Sequence, residues 1–306
     1  MYKRIKLELF YLKELWRYGY GPSFWWPYFK NRFLGSFLVQ TLRPEYCRPR
    51  EDFALHILSQ KQALWMLVWA IKSFQYYSGL CPQIVIHDDG TFNRQTAQLL
   101  ESKFNNLKVI LREEADKRIW TRTDLTESFK RYRYQTKNNI LLKLTDVFLL
   151  SQAEKIMVLD NDIFFLNKPQ EIIDFVEGRS GFDALATEGG QTSIKFKKDY
   201  AAKYKIFEKR ADFMNTGILL FKKTLFKPAN LFEYFDNTLL DPQAYFIEAA
   251  GYNALFARCH FGFLPKDKYR IKGQPEKDDI IKHFTKPRRH ELYAYGIDLV
   301  RKKINS

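Results

Sequence analysis

Cysteine is scarce in this chain of 306 residues: Cys47, Cys81 and Cys259 stand far apart, with no CxxC pair. That spacing argues against a structural zinc site and a disulfide framework, and it fits a reducing cytoplasm. Long apolar runs are missing as well. None reaches the ~18–20 residues that span a bilayer. The basic start Met1-Tyr2-Lys3-Arg4 leads into no compact apolar stretch with a small-residue cleavage site, so no secretory signal is read. Acidic residues are few beside the basic ones: 35 Asp and Glu against 50 Lys and Arg leave a formal net charge of +15. Such an imbalance implies an anionic partner, whether nucleotide phosphates, an acidic membrane surface or nucleic acid.

What is present fits one large α/β domain or two small ones, with a hydrophobic fraction of 46% that is enough for a proper core. Phe53–Ser59 reads as a first strand. Lys61–Tyr77 reads as a helix, with Leu64, Leu67, Val68, Ile71 and Phe74 at helical spacing and Gly79-Leu80-Cys81-Pro82 as its stop. Gln83–His87 and Leu107–Leu111 read as further strands. This β-α-β-α-β alternation predicts a parallel sheet with helices on both faces, and such sheets bind nucleotides at the carboxyl ends of their strands. Ser59, Asp88 and Asp89 are therefore donor-site candidates, with a plain turn as the alternative for Asp88-Asp89-Gly90. His56 and His87 lie inside strand patterns and read as packed residues.

The stretch around which the rest is organised is Lys155–Pro169. Ile156, Met157, Val158 and Leu159 form an apolar strand that stops at Asp160-Asn161-Asp162, after which Ile163-Phe164-Phe165-Leu166 resumes. Two carboxylates in so apolar a setting are costly to bury unless something positive meets them. A hard divalent cation, Mg²⁺ or Mn²⁺, suits carboxylate oxygens and leaves positions open for phosphate. The competing reading is a solvated turn.

Four segments in order carry a resemblance. Asn138–Leu150 reads as a helix leading into the D-x-D strand. It is followed by Asp212-Phe213-Met214-Asn215-Thr216-Gly217 with Ile218–Phe221, then by Ile247–Phe256 with Glu248 near its start, and last by Ile281-Lys282-His283-Phe284. From about Asp52 onward the chain resembles the GT-A glycosyltransferases, above all the glycogenin- and galactosyltransferase-like group. The resemblance implies a GT-A-like, Rossmann-type mixed and mostly parallel sheet flanked by helices on both faces. It also implies sugar transfer from a nucleotide-sugar, most readily a UDP-sugar, to an acceptor hydroxyl in glycan, polysaccharide or glycolipid synthesis.

It further implies roles for particular residues. Asp160, Asp162 and His283 would hold Mn²⁺ or Mg²⁺, with Asn161 beside the donor. Arg133, Lys143 and Lys286 would meet the diphosphate, although the segment around His283 lacks the Gly and Trp of the family's H-x-x-G-x-x-K-P-W. Asp212 and Asn215 would steady the sugar, and an amide and a glycine opening a strand suit close approach to a ligand. Glu248 would act as general base or hold sugar hydroxyls; as a first-turn acid it could equally favour the helix dipole. Gln191–Arg210 reads as a loop over the substrate.

Residues 1–52 read as a basic, aromatic-rich helical extension, and 53–306 as the GT-A domain that the resemblance implies. The first fifty residues carry ten Lys and Arg against three acids and many aromatics. Ile5, Leu9, Leu12 and Trp16 make a stripe at helical spacing. Either the stripe packs on the domain with a solvated basic face, or the helix lies on an anionic membrane. The expected location is therefore cytoplasmic, with peripheral attachment to the inner membrane face open, and the acceptor a glycan, a lipid-linked sugar or a protein. Single-stranded nucleic acid also fits basic and aromatic composition, but no repeat or RNA-binding signature supports it. Two other functions remain: a nucleotidyltransferase of the same fold, disfavoured because Phe53–Gln62 has no glycine, and a non-catalytic membrane- or nucleic-acid-binding module.

Overall fold

The computed structural model describes residues 2–135, 137–271, 273–285 and 288–305. Its strands are β1 (Phe53–Ser59), β2 (Gln83–Asp88), β3 (Leu107–Ile110), β4 (Lys155–Leu159), β5 (Ile163–Phe165), β6 (Ala184–Glu188), β7 (Met214–Lys222), β8 (Phe261–Phe263), β9 (Tyr269–Arg270) and β10 (Ile281–His283). Among the described residues, seven of these form one sheet in the order β3-β2-β1-β4-β7-β6-β8. β3, β2, β1 and β4 run parallel, β7 is antiparallel to both its neighbours, and β8 runs parallel to β6. This is the mixed, mostly parallel sheet that the resemblance implies; the order of elements alone predicts the parallel part, β3-β2-β1-β4.

Central strand β4 shows why the sheet is covered on both faces. Met157 and Leu159 join the core that also holds Phe53, Leu55, Ile57 and the helix Leu64–Ser78. Ile156 and Val158 join the other core, with the helices Leu142–Leu150, Pro228–Asn237 and Ile247–Phe256. A strand buried on both sides reads as a continuous apolar run, which is what Ile156–Leu159 is.

A small second sheet, in the order β5-β10-β9, positions the site. β4 belongs to the large sheet and β5 to the small one, so Asp160-Asn161-Asp162 is the joint between them. The joint is fixed from both sides: Asp160 N–H donates to the Gly217 carbonyl (2.8 Å) and Phe284 N–H donates to the Asp162 carbonyl (2.8 Å). The antiparallel register of β5 and β10 sets His283 opposite Ile163, one residue from Asp162.

The N-terminal helices are α1 (Tyr2–Arg17), α2 (Trp25–Phe33) and α3 (Gly35–Thr41). They contribute Tyr11, Leu15, Tyr28 and Val39 to the first of the two cores. Of the Ile5-Leu9-Leu12-Trp16 stripe on α1, Leu12 alone packs against the core. Tyr11, Glu14 and Leu15 turn inward, and Glu8 is held by Tyr28 (2.6 Å) and Arg32 (2.8 Å), while Ile5, Leu9 and Trp16 are exposed.

The cysteines depart from expectation. Cys47 and Cys81 are joined in a disulfide across a Cα separation of 6.1 Å. Residues 42–52 run extended past the end of the helix Leu64–Ser78, Glu45 bridges to Phe104, and Arg50 N–H donates to the Cys81 carbonyl. Proximity thus comes from tertiary pairing, which sequence spacing does not reveal. Cys259 is the free thiol, pushed up to about 12 by burial. Among the described residues no helix is long and apolar enough to cross a membrane.

Candidate active site

The joint between the two sheets opens into a cavity of about 280 Å³. Asp160, Asn161 and Asp162 form its floor. Lys143, Glu248, Asn215, Thr216, His283 and Arg289 line its walls, drawn from five separate stretches of the chain.

Asp160, Asp162 and His283 each offer a ligand atom, and these atoms lie within 4.8 Å of one another. His283 Nε2 faces both carboxylates, 3.2 Å from Asp162 Oδ1 and 3.7 Å from Asp160 Oδ2. The other oxygen of each carboxylate is taken by a cation: Lys143 Nζ donates to Asp160 Oδ1 at 2.7 Å, and Arg289 donates to Asp162 Oδ2. The remaining pair of oxygens and the imidazole nitrogen make a hard, oxygen-rich corner with one nitrogen. That donor set fits a divalent metal ion.

Close approach of the strands requires Gly217. A Cβ on it would stand 2.9 Å from His283 Cε1, 2.9 Å from Ile163 Cδ1 and 2.8 Å from Asn215 Oδ1. The glycine that opens this strand therefore makes room for the imidazole. Gly251 eases the helix contact: a Cβ there would run into Leu144 Cδ2, so the helix bearing Glu248 lies against the helix bearing Lys143 with no side chain between them at this point.

Burial sets the electrostatics. Lys143 sits in the first turn of its helix, 2% exposed. Burial alone would lower its pKa, but Asp160 and Glu248 outweigh it and hold the ammonium above its usual range. Glu248 is also 2% exposed, and burial pushes it up to about 7 against the pull of Lys143 at 3.5 Å. Its Oε2 accepts from Thr216 Oγ1 (3.0 Å), while Oε1 is buried without a hydrogen-bond partner and faces Lys143 Nζ at 3.5 Å. Burial would raise Asp162, yet Arg289 and His283 carry it well below the carboxylate range.

The other expected residues separate into two groups. Asn161 lines the cavity and donates to Ser59 Oγ (3.1 Å), so Ser59 stands behind the floor. Asn215 lines the cavity, but its side-chain oxygen turns back to accept from Gly217 N–H (2.9 Å). Asp212 is buried beside the cavity wall, where its Oδ2 accepts from Gln191 (2.8 Å).

Asp88, Asp89 and Arg133 lie outside the cavity lining. Asp88 Oδ1 accepts from the backbone of Gly90, Thr91 and Phe92, and Asp89 accepts from Thr91, so both carboxylates close the turn after β2. Arg133 is fully buried and pairs with Asp146 (3.0 Å) and Asp116 (2.7 Å). Lys286 lies outside the described residues. Gln191–Arg210 brings Thr192 to the cavity and then forms the short helix Lys198–Lys203.

Sequence reasoning passed over Thr216, Phe246 and Arg289. Thr216 lay in view between Asn215 and Gly217; its hydroxyl serves Glu248 and its carbonyl accepts from Lys143. Phe246 precedes the Glu248 helix and, with Thr192, Met214 and Asn215, forms the sill of a second cavity of about 1010 Å³. That larger cavity is lined with charge and amide groups, among them Glu188, Gln191, Lys266 and Arg270.

Comparison with known proteins gives a family match over residues 54–260, to the model described as glycosyl transferase family 8. No curated protein sequence matches the chain. Among solved structures, the chain is similar to a galactosyltransferase, LgtC, in complex with donor and acceptor sugar analogs. That match has 12% identity, 82% of this chain and 95% of the other covered, and a TM-score of 0.49. It is also similar to apo mouse xyloside xylosyltransferase 1 (12%, 76% and 97%, TM-score 0.47). A third is the glycosyltransferase GlyE of Streptococcus pneumoniae TIGR4 (11%, 84% and 64%, TM-score 0.49).

Proposed function

The chain belongs to glycosyl transferase family 8, and from that premise we propose that it moves a sugar from a UDP-sugar to a hydroxyl of a glycan or lipid-linked acceptor, with Mn²⁺ or Mg²⁺ held by Asp160, Asp162 and His283. It is a glycosyltransferase of the GT-A fold, and donors of this class leave as nucleoside diphosphates. The observation that carries the proposal is the convergence of two carboxylate oxygens and one imidazole nitrogen within 4.8 Å in the lining of a cavity. A divalent ion in that corner supplies Lewis-acid stabilisation of the charge that grows on the departing diphosphate.

The chain's own residues do the rest. Lys143 and Arg289 bring two fixed positive charges to the edge of the diphosphate position, where partial burial strengthens them. Both are anchored to the aspartates, so they reach that position already oriented and lose little freedom as charge develops. Thr216 holds one oxygen of Glu248, the other faces Lys143, and the side chain lines the cavity. With its pKa raised to about 7, the Glu248 carboxyl can accept a hydrogen bond, or a proton, from a sugar hydroxyl brought against it. Asn215 stands between the two cavities, its amide nitrogen available to the sugar.

The acceptor belongs in the larger cavity. It adjoins the first across Asn215 and Phe246, and it offers the carboxylates, amides and cations that hydroxyl-rich ligands bind. Phe246, shared by the two cavities, and Tyr245, beside it on the lining of the first, are exposed and supply flat faces for a sugar ring.

Thermal-shift titration of UDP, GDP and their sugars, with and without Mn²⁺, tests the proposal. A metal-dependent rise in melting temperature with one nucleotide, lost in Asp162→Asn, is the expected result. No nucleotide raising the melting temperature, with or without metal, would overturn it.

A further inference from the structure

The outward side of the N-terminal helices is apolar, aromatic and cationic at once. On α1, Ile5, Leu9 and Trp16 lie exposed beside Lys6, Lys13 and Arg17. On α2, Trp26, Phe29 and Phe33 recur at i, i+3 and i+7 and all face solvent, with Trp25 next to them. The two helices join without a gap: the Trp16 and Trp25 rings are 6.4 Å apart, and Phe29 stacks on Phe33 at 5.9 Å. Phe37 on α3 continues the surface at 62% exposure, and Trp16 and Trp26 are exposed to 67% and 69%. Single exposed apolar side chains are ordinary, but a contiguous set of this size marks a docking face.

Charge decides what docks. Glu8 and Glu14 are the acids between residues 5 and 43, and neither is exposed: Glu8 is locked to Arg32 and Tyr28, and Glu14 is buried. The exposed charge on this side is therefore cationic. Two copies of the chain meeting through it would oppose like charges. A bilayer with anionic headgroups offers phosphates to the cations, an interface zone to the indole rings and an apolar layer to Leu9 and Phe33.

We propose that α1, α2 and α3 dock the enzyme on an anionic lipid surface through Ile5, Leu9, Trp16, Trp26, Phe33 and Phe37. The same layer rests on the active site. α1 sits against Arg289–Glu291, with the Tyr11 ring 6.0 Å from that of His290. On α2, Asn31 donates to the Tyr293 carbonyl (2.9 Å) and Arg32 lies over the Tyr293 ring. Because Arg289 reaches Asp162, the lipid-facing layer and the metal corner share one scaffold. This deepens the functional proposal by placing the acceptor at a membrane. Docking is measured without nucleotide, so it can fail while sugar transfer holds, or hold while transfer fails.

The test is sedimentation of the whole protein with vesicles of equimolar phosphatidylglycerol and phosphatidylcholine, beside vesicles of phosphatidylcholine alone. Anionic vesicles should carry the protein down at low salt and release it as salt rises. Trp16→Ser, Trp26→Ser and Phe33→Ser together should weaken binding at least about tenfold, with unchanged melting temperature because all three are exposed. Lys6→Gln, Lys13→Gln and Arg17→Gln should weaken it roughly fivefold each. In the unaltered protein, brominated lipids should quench tryptophan emission, a readout independent of whether any variant folds. Failure of the unaltered protein to sediment overturns the proposal. So does lack of quenching, or a lipid-free dimer that the three aromatic substitutions abolish.

Discussion

Arg289 and His283 divide Asp162 between them: the guanidinium takes Oδ2, and the imidazole faces Oδ1 at 3.2 Å. Asp160 is divided the same way, with Lys143 at 2.7 Å on Oδ1 and His283 at 3.7 Å from Oδ2. Each carboxylate thus keeps one oxygen for a metal while its charge is already offset by a cation. Two aspartates in a half-closed cavity would repel each other strongly without this arrangement, since Asp162 is nearly buried. The offset also lowers the pull on a cation arriving alone.

Metal and nucleotide should therefore bind cooperatively. A diphosphate supplies the negative charge that Lys143 and Arg289 have withdrawn, so Mn²⁺ affinity should rise by about tenfold or more when UDP is present, within the usual range of coupling between sites. Titration of free Mn²⁺ by electron paramagnetic resonance reads this directly. Arg289→Gln should tighten Mn²⁺ binding in the absence of nucleotide while lowering turnover. Equal Mn²⁺ affinity with and without UDP would contradict the charge-offset account.

Lys143 holds two acids apart, so removing it should cost more than an ordinary ion pair. Lys143→Met leaves Glu248 buried with no cation beside it and frees one oxygen of Asp160. Breaking a buried pair on one side costs about 3 kcal/mol, and urea denaturation should show a loss of that order. Lys143→Met combined with Glu248→Gln should recover part of it, because the amide needs no counter-charge. A double variant no more stable than the single one would mean that Glu248 is not the group left stranded.

Much of this was legible in the residues. The run Ile156–Leu159 is apolar at every position because both faces of its strand are buried, and Asp160-Asn161-Asp162 had to mark its end. Asn215-Thr216-Gly217 and His283 were marked by strand ends. What stayed hidden depended on which neighbour a side chain meets. Arg133 and Lys143 look alike as basic residues near the D-x-D strand, yet one pairs with Asp146 in the interior and the other with Asp160 at the cavity. Arg288 and Arg289 are adjacent, and only the helical turn at Arg289–Glu291 decides that Arg289 points to Asp162 while Arg288 goes to Glu291. Asp88 looks like a ligand until its turn closes around it. Cys47 and Cys81 are paired by an extended segment that carries no periodic signal.

Stability should fall in mild acid because of a buried histidine pair. His56 Nδ1 and His87 Nε2 are 2.9 Å apart between β1 and β2, and His56 Nε2 is 2.9 Å from Ser151 Oγ. Burial lowers both: His56 well below its usual value and His87 to about 4. In the unfolded chain both titrate near 6.5. Above that pH both states are neutral and the full stability is present. Below it the unfolded chain gains protons that the native protein refuses, so stability drops as pH falls from about 6.5 toward 4, by up to about 1.4 kcal/mol per pH unit for each imidazole. Urea midpoints across this range should show the slope, and His87→Gln should flatten it. An unchanged slope in that variant would clear the pair of responsibility.

Gly217→Ala is the sharpest test of how the metal corner is built. The new methyl would sit 2.9 Å from His283 Cε1 and 2.9 Å from Ile163 Cδ1, against side chains that β5 and β10 hold in register. Ile163 is fully buried and Asn215 Oδ1 would stand 2.8 Å from the same methyl, so at least one of these side chains must shift, and the imidazole is among those displaced. Overpacking of this kind costs about 1–3 kcal/mol, which a sheet this well buried should survive as a folded protein. The imidazole would leave its place beside the carboxylates, and Mn²⁺ should bind at least about tenfold more weakly while the far-ultraviolet circular dichroism stays native. His283→Ala should lose the same affinity without the destabilisation, because it removes the ligand and leaves the strands in contact. If Gly217→Ala binds Mn²⁺ as the unaltered protein does, His283 is not a ligand held in place by that glycine.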